Sequence, residues 1–520
     1  MSRWDLDWHV GIYLFPYVTA PAREADWYSF VLVRPARSTT TKSEGPMMRG
    51  AVMPRHCGLV SAAAALLLAG FLTIGYAPPA QALPSFARQT GQPCGACHID
   101  YPGLTPYGRR FKIEGYTMGG GKYRTTLFPD SPDSAKKGYV PPISMMAIVD
   151  YTHIQNPEAA GLVPGPPYAP NDNVTLATFS FFYGGAITDH IGAFVQGTYN
   201  PFAWHWDNTD VRFVDSGAIG SFPVIYGITA NNNPTLQDPW NTTPAWGFPY
   251  QFSGFGPGYG STPFIDGAFA QQVAGAGAYA YIDDLVYLEA GAYHTLDPSA
   301  LNDLGITATD TGVGRFNFAP YWRAAIEPHW GNNWLEFGTF GMVANMHPWS
   351  AIATTPTALV GPTDNYIDIG LDTQYQYGGS NYWLTLRGSY IHEYQQLSAS
   401  FGNPFSVTSS SNPTNTLNEA RAYASLAYGN SNRVVLTGQY FTSWGTSDTT
   451  LYAANANFSP DTKGWIAEIA YIPFIDSQAP GWPWFNVRIG LQYTAYTEFN
   501  GTSAGASENN TLYLYLWMAM

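Results

Sequence analysis

The feature that most constrains the fold of this chain is a regular alternation of apolar and polar side chains, which begins near residue 140. A period of two indicates β-strands whose two faces meet different surroundings. Within 367–377, isoleucine, leucine, threonine and tyrosine form one row, while aspartate, glycine and glutamine form the other. Residues 384–390 and 485–494 repeat this pattern. The chain beyond residue 140 is therefore predicted to be all-β, with strands that have one apolar and one polar face.

The connections between these segments alternate between short and long. Tight turns are predicted near 188–189, 283–284, 331–333, 378–380 and 429–431, and long links at 154–172, 295–315, 347–364, 396–415 and 444–462. Short turns at one end and long loops at the other are typical of a transmembrane outer-membrane β-barrel. Seven loops of this kind along the chain, including these five, predict 14 strands, and a further hairpin within 201–263 raises the number to about 16. A soluble β-sandwich would need a second buried face, which inward rows of charged and amide side chains do not provide.

Two other segments bear on the barrel. The last residues contain an apolar row, which we expect to form the closing strand: Leu512, Leu514, Leu516, Met518 and Met520. The segment 217–263 is rich in proline, asparagine and aromatic residues. Its length predicts a loop that folds back over or into the pore.

Composition agrees with this class of protein. Only 60 of the 520 residues are charged, which is 12% and about half the usual share. Glycine and proline together number 93, aromatic residues make up 16%, and the mean hydropathy is −0.13. This mixture is too polar for a bundle of membrane helices and suits a barrel with glycine-rich turns and aromatic girdles. The net charge of −14 argues against nucleic-acid binding, which needs clustered lysine and arginine.

An export signal precedes the barrel. Residues 57–76 carry no charge, two arginines lie just before them, and Ala80 and Ala82 provide the small residues of a cleavage site. We therefore assign 47–82 as a secretory signal peptide that is cleaved after Ala82. A retained transmembrane anchor is the alternative, since the apolar run is long enough to span a bilayer.

The segment before the signal, residues 1–46, has scattered charges of both signs and no apolar period. We expect translation to begin at Met47, Met48 or Met53, so that 1–46 is an upstream extension. The removed segments hold seven of the 23 basic and five of the 37 acidic residues. The exported chain, 83–520, then has 438 residues, with 16 basic and 32 acidic side chains and a net charge of −16.

Two cysteines remain in the exported chain, and both belong to the motif Cys94-Gly95-Ala96-Cys97-His98. The C-x-x-C-H pattern is that of c-type haem attachment. The two thiols bond to the porphyrin, and the imidazole that follows binds the iron as the proximal ligand. We therefore predict one covalent haem c, held by Cys94 and Cys97 with His98 on the iron. The haem domain is predicted at 83–139 and the barrel at 140–520.

Two other interpretations of the motif are weaker. A structural zinc site would need a fourth ligand, usually from a second pair of cysteines or from a cysteine and a histidine, and no other cysteine remains in the exported chain. A dithiol redox site would be expected within a βαβ pattern, whereas proline, glycine and polar turn residues surround this motif.

The sequence leaves the environment of the haem open. The sixth ligand of the iron has four downstream candidates, besides an open position: Met118, Met145, Met146 and His153. A basic cluster is a candidate partner of the haem propionates, with a solvated positive face as the alternative: Arg88, Arg109, Arg110 and Lys112.

The region around the motif resembles a known family. The residues that carry the resemblance are Leu83 to Gly91, Cys94 to His98, Pro102, Leu104 to Pro106, Gly108, Arg109, Phe111 and Lys112. They resemble the outer-membrane cytochrome-porin fusions of iron-oxidising bacteria, in which a small monohaem domain precedes a porin of about 16 strands. The resemblance implies that Cys94, Cys97 and His98 hold the haem and that the haem domain plugs or lines the barrel. It also implies electron transfer from extracellular Fe(II) to periplasmic carriers, such as a cytochrome or a copper protein.

Three functions are compatible with these features. The favoured one is electron transfer across the outer membrane, with iron(II) oxidation as its enzymatic form, because it explains why a haem is fused to a membrane barrel. Carboxylates such as Asp368 and Asp372 would then concentrate cations at the pore, unless they serve only as ordinary lumen polarity. The second function is a porin for solutes in which the haem domain is a plug, gate or sensor. The third is a haem peroxidase with an open iron position.

Overall fold

The computed structural model describes residues 83–129, 132–200, 203–306, 314–349, 359, 361–430, 433–476 and 481–520. The upstream segment 1–46 and the signal peptide 47–82 lie outside the described residues. Among the described residues, no helix has both the length and the apolar character needed to cross a bilayer.

Sixteen strands of eight or more residues form the sheet in the described part of the chain. They are β1 (Ile143–Ile154), β2 (Asn173–Ala186), β3 (Ile191–Tyr199), β4 (Trp204–Ile219), β5 (Phe222–Asn231), β6 (Val273–Ile282), β7 (Val286–Thr295), β8 (Ala319–Ile326), β9 (Asn333–Pro348), β10 (Asp364–Gly378), β11 (Tyr382–Gln396), β12 (Thr414–Tyr428), β13 (Arg433–Gly445), β14 (Thr462–Ile472), β15 (Asn486–Glu498) and β16 (Thr511–Ala519). Two strands of two residues each, Gly314–Arg315 and His329–Trp330, pair with β9.

The sheet closes on itself as an antiparallel barrel. Each long strand pairs with its neighbour along the chain, and β16 pairs with β1, so that Ala519 lies opposite Met146. The predicted number of about 16 strands is therefore confirmed, and the apolar C-terminal row forms the closing strand. The additional hairpin predicted within 201–263 is β4 and β5, which are both longer than the pattern indicated.

The two faces of the barrel differ as the alternation predicts. On β10, Ile369 and Leu371 are 44% and 54% exposed on the outer face, whereas Asp368 and Asp372 are buried on the inner face. A closed barrel with an apolar outer band satisfies its backbone hydrogen bonds without water, as a bilayer requires.

The two ends of the barrel differ in the length of their connections. At one end the links are short, such as 220–221 and 283–285, and at the other they are long, such as 155–172 and 232–272. In outer-membrane barrels the short turns face the periplasm. We therefore call these ends the periplasmic and the extracellular end.

The chain before β1 forms short helices: α1 (Pro84–Thr90), α2 (Cys94–Cys97), α3 (Pro106–Ile113) and α4 (Pro132–Ala135). Proline opens α1 and α3, where its missing N–H costs no hydrogen bond. Gly91 ends α1 in the left-handed region, with φ at 71°. The Thr105 hydroxyl caps α3 by accepting a hydrogen bond from the Gly108 N–H at 3.1 Å.

Buried hydrogen bonds fix this segment inside the periplasmic half of the barrel. Arg212 of β4 donates to the Lys112 carbonyl at 2.9 Å. From another part of the wall, Gln376 of β10 donates to the Leu104 carbonyl at 3.0 Å. The segment therefore fills the lumen rather than hanging below it, and we call residues 83–129 the plug.

The long connection between β5 and β6, residues 232–272, folds into the lumen beside the plug. The Lys112 ammonium donates to the carbonyls of Leu236 at 2.8 Å and Asp238 at 2.6 Å, and to Oδ1 of Asn241 at 2.9 Å. The prediction of a loop inside the pore is confirmed. This lumen loop begins at residue 232 rather than 217, because the residues before it extend the β4–β5 hairpin.

The lumen loop overturns one expectation about the carboxylates of β10. The Ile265 N–H donates to Asp368 at 3.0 Å, and Arg323 donates to both carboxylate oxygens of Asp372, at 2.6 and 2.8 Å. Asp368 and Asp372 are thus enclosed and bonded. The hypothesis that they concentrate cations at the pore mouth is wrong, because the loop covers them.

Candidate functional site

The C-x-x-C-H motif lies in the periplasmic part of the plug. Cys94–Cys97 forms the single turn α2, and the His98 N–H donates to the Cys94 carbonyl at 2.8 Å. The Gly95 N–H donates to the Ile475 carbonyl at 2.8 Å, which docks the turn on the connection between β14 and β15. Cys94 packs in an apolar cluster with Ile99, Tyr101, Ala427, Val435, Ala470, Ile472 and Ile475.

An arginine at the start of β13 holds the backbone of the proposed iron ligand. Nη1 of Arg433 donates to the carbonyl of His98 at 2.9 Å and to that of Ile99 at 2.7 Å. Arg433 is buried, so these hydrogen bonds are sheltered from water. They tie the peptide that carries the imidazole directly to the barrel wall.

A second arginine, on β15, fixes the residues that follow. Arg488 donates to the Tyr101 carbonyl at 2.6 Å and pairs with Asp100 at 3.0 Å. The Asn486 side chain, also on β15, donates to the Tyr101 hydroxyl. Sequence reasoning did not predict that Arg433 and Arg488 hold the motif. The only sequence feature that pointed to these arginines was their inward position near the start of a strand, and such a position does not reveal which residue a side chain contacts.

His98 has the properties of a metal ligand. The residue is half-buried, its ring lies against the backbone of Pro102 and Gly103, and its buried Nδ1 atom makes no hydrogen bond of ordinary geometry among the described residues. Burial lowers the pKa of His98 to about 4, which keeps the ring neutral at neutral pH. A neutral imidazole with an unused nitrogen is the form that binds a metal ion.

The two thiols differ from those of a redox-active dithiol. Burial raises the pKa of both Cys94 and Cys97 to about 12. Reactive dithiol pairs depend on the opposite shift, because the thiolate is the nucleophile. The dithiol interpretation of the motif therefore gains no support from this environment.

The donor set fits haem c better than zinc. Within the described residues, no three His, Cys, Asp or Glu side chains converge on one point as a metal centre. Zinc needs such convergence, whereas in haem attachment the imidazole alone binds the metal and the thiols bond to the porphyrin. Cys97 and His98 are both half-buried and lie next to each other at the end of one helical turn. Cys94, Cys97 and His98 are therefore the residues that would hold haem c.

Gly108 sets how closely α3 packs on the motif. A β-carbon at this position would lie 2.2 Å from the Cys97 carbonyl oxygen. We expect Gly108→Ala to push α3 away from Cys97, because the Cys97 carbonyl belongs to the backbone and cannot move aside. The amount of covalently bound haem and the melting temperature should both fall. Haem staining after denaturing electrophoresis, normalised to the amount of barrel, measures the first effect.

The matched control for this variant is Gly119→Ala in the same segment. A β-carbon at Gly119 would have nothing within 4 Å, so wild-type haem content is expected. If Gly108→Ala also retains full haem content, the close approach of α3 is not needed for attachment.

The candidates for the sixth ligand divide into two groups. Met145 and His153 lie on the outer face of β1, and His153 pairs with Asp172 at 2.8 Å near the extracellular end. Met146 faces inward, and Met118 packs against the same apolar cluster beside the plug. Met118 is therefore part of the plug and Met146 faces it, whereas Met145 and His153 point away from it.

The predicted basic cluster has a different role. Arg109 pairs with Glu327 of the barrel. Arg110 pairs with Glu114 at the end of α3 and with Asp284 of a barrel turn. Lys112 donates to two carbonyls of the lumen loop. Arg88 donates to the Ile143 carbonyl at 2.6 Å and lies 4.5 Å from the ring centroid of Trp484. Most of the cluster therefore anchors the plug. Arg110 is the most exposed member, with 37% of its side chain accessible, and a propionate partner among the four stays a prediction.

Comparisons with known proteins return structural likenesses only. No protein-family model matches the chain, and no curated protein matches it. OmpT of Vibrio cholerae is 8% identical with a TM-score of 0.38, over 72% of this chain and 95% of that one. OprB of Pseudomonas putida is 11% identical with a TM-score of 0.38, over 72% and 93%. An anion-selective porin from Comamonas acidovorans is 10% identical with a TM-score of 0.39, over 72% and 98%.

At TM-scores this low, the description of the barrel rests on the strand pairing of this chain. Sixteen antiparallel strands close without an edge, an apolar band covers the outside, and polar residues line the inside. These are the properties of a transmembrane β-barrel of the outer-membrane type. The protein is located in the outer membrane.

Proposed function

We propose that this protein carries electrons across the outer membrane through one covalent haem c in the plug, as in the cytochrome-porin fusions that it resembles. The observation that carries the proposal is the position of the C-x-x-C-H motif. It lies inside a membrane barrel, clamped to the wall by Arg433 and Arg488. A haem at this position would join the periplasm to the interior of the barrel.

Each residue of the motif has a defined part. Cys94 and Cys97 would bond to the porphyrin, and the neutral imidazole of His98 would bind the iron. When bound, haem c supplies a one-electron Fe(III)/Fe(II) couple. Arg433 and Arg488 hold the backbone from His98 to Tyr101, and the Tyr101 ring packs edge to face on the imidazole.

The packing of the lumen favours an electron conduit over a channel for solutes. Charged side chains that an open pore would expose to water are almost fully buried: Asp210, Arg212, Arg323, Glu393 and Arg488. A cavity of about 30 Å³ remains between the lumen loop and the wall, lined in part by Asn241 and Arg387. It has room for one or two water molecules.

The charge of the exported chain bears on the electron donor. A net charge of −16 favours a cationic donor over an anionic one at the protein surface. Hydrated Fe(II) at the extracellular end is such a donor, and a periplasmic cytochrome or copper protein would be the acceptor. In a filled barrel, only the electron crosses and the iron stays outside.

Lipid vesicles that contain the purified protein and trapped ferric cytochrome c test this function. After addition of Fe(II) outside under anoxia, we expect the trapped cytochrome to become reduced, and protein-free vesicles to stay oxidised. The same vesicles should swell little in an isosmotic sugar solution, because the lumen is filled. Failure of the haem-loaded protein to reduce the trapped cytochrome would contradict the proposal.

The barrel architecture supports a second candidate, a porin whose plug moves aside to admit solutes. In that case, the vesicles would swell in small sugars while the trapped cytochrome remained oxidised. The two measurements on one vesicle preparation therefore separate the two functions.

A further inference from the structure

A line of aromatic rings crosses the lumen between the haem-attachment motif and the extracellular loops. We call it the aromatic row, and its members are Tyr250, Phe248, Tyr259, Phe441, Tyr496 and Phe499. The ring centroids of Tyr250 and Phe248 are 5.4 Å apart, and the Tyr259 hydroxyl donates to the Phe248 carbonyl at 2.6 Å. The centroid distances then run 4.7 Å to Phe441, 5.7 Å to Tyr496 and 5.3 Å to Phe499.

The periplasmic end of the row connects to the motif. The rings of His98 and Tyr101 meet edge to face, with their centroids 5.0 Å apart. Arg488 donates to the Tyr101 carbonyl and lies 5.4 Å from the ring centroid of Tyr250. The proposed iron ligand is therefore linked to the aromatic row through Tyr101 and the Arg488 guanidinium.

The positions of the wall residues give the direction of the row. Asn486, which bonds to Tyr101, begins β15 at the periplasmic end. Tyr496 lies ten residues further along the same strand, and Phe499 follows in the extracellular loop. Ten residues of strand rise roughly 33 Å, and the apolar band of an outer-membrane barrel is about 25 Å tall. With the usual strand tilt of about 40°, this rise is about 25 Å along the membrane normal. The motif and the aromatic row together, rather than the row alone, therefore cover the thickness of the membrane.

The row is also packed into the core of the lumen. Phe248, Phe441 and Tyr496 are buried, and the other members are partly buried against them in one apolar cluster. Tyr259 occupies the middle, where its hydroxyl accepts a hydrogen bond from Gln439 at 2.8 Å. Aromatic rings also cluster elsewhere in the lumen, around Trp240 and Tyr287 and around Phe264 and Tyr366. The aromatic row differs from these clusters because it begins beside Arg488 and ends in the extracellular loop.

We infer that the aromatic row is the path by which an electron from an extracellular one-electron reductant reaches the haem; this inference rests on the proposed function. One ferrous ion outside loses one electron and becomes ferric. The ferric haem iron gains that electron and becomes ferrous, with no bond made or broken in the protein. The rings shorten the gaps that the electron must cross through the barrel.

The test compares three variants in the vesicle assay with Fe(II) outside and ferric cytochrome c inside. Tyr259→Leu removes the central ring and is expected to slow the reduction severalfold. Tyr259→Phe keeps the ring and should transfer electrons at the wild-type rate. Tyr440→Leu removes an aromatic ring that faces lipid, next to Phe441 on the same strand, and should also match the wild type.

A second readout needs no haem. In the Cys94→Ser/Cys97→Ser background, the urea midpoint of unfolding measures stability alone. Both Tyr259 variants lose the bonds of the hydroxyl and should unfold at lower urea, whereas Tyr440→Leu should unfold near the wild type. If the aromatic row contributes only to packing, both Tyr259 variants will transfer electrons more slowly than the wild type, as their lower stability predicts. If the row is the electron path, Tyr259→Phe will match the wild-type rate although it is less stable.

The outcomes separate this inference from the proposed function. Wild-type transfer in Tyr259→Leu, or equal slowing by both Tyr259 variants, overturns the aromatic path and leaves the electron conduit standing. Absence of transfer in the wild type, with haem bound, removes the proposed function and the path together.

Discussion

Replacing Arg323 with methionine is expected to destabilise the barrel by about 3–5 kcal/mol, the usual effect of breaking a buried ion cluster, and to raise its ion conductance. Arg323 donates to Asp372 at 2.6 and 2.8 Å, to Asp238 of the lumen loop at 3.2 Å, and to Glu336 at 3.1 Å. All four side chains are buried. Without the guanidinium, three adjacent carboxylates repel one another and the loop loses one of its buried attachments to the wall.

Two measurements check this prediction. Tryptophan fluorescence gives the urea midpoint of unfolding, and planar bilayers give the single-channel conductance. Arg110→Met is the matched control, because its pairs with Glu114 and Asp284 are partly exposed and such pairs contribute about 0–1 kcal/mol. If Arg323→Met retains the wild-type midpoint and conductance, this cluster does not hold the loop in the lumen.

The double variant Cys94→Ser/Cys97→Ser is expected to lose all covalent haem and all transfer of electrons to trapped cytochrome c. A serine hydroxyl has nearly the shape of the thiol but forms no thioether with the porphyrin. The barrel should still assemble, because its strand pairing does not depend on these residues. Haem staining after denaturing electrophoresis and the shift in gel mobility on heating report the two properties.

Cys57→Ser supplies the control, because Cys57 lies in the predicted signal peptide and is absent from the exported chain. This variant should keep the wild-type haem stain. Covalent haem in the double variant would show that Cys94 and Cys97 are not the attachment residues.

The barrel was predictable because its determinants are local. In β10 and β15, the alternation of neighbouring side chains shows which face is apolar, and the lengths of the turns distinguish the two ends of the barrel. The C-x-x-C-H motif was equally recognisable, since two thiols and an imidazole on one turn need no distant residue to be identified; the haem that it predicts stays a proposal.

The filling of the lumen was not predictable, because it depends on contacts between distant parts of the chain. Arg109 and Gln376, which bond to each other at 2.6 Å, are 267 residues apart, and Arg433 lies 335 residues from His98. An inward aspartate such as Asp372 has the same local pattern whether it meets water or a buried arginine. Sequence periodicity therefore predicted correctly that the Asp372 side chain points inward, and predicted wrongly that it faces an open pore.

The visible spectrum of the protein from an outer-membrane fraction tests the central claim most directly. The protein is oxidised and then mixed with Fe(II) under anoxia. The expected result is the rapid appearance of the sharp bands of reduced c-type haem, which would establish both the covalent haem and Fe(II) as a competent donor. A haem spectrum that dithionite reduces but Fe(II) does not would contradict iron oxidation, and the absence of any haem spectrum would contradict the electron conduit itself.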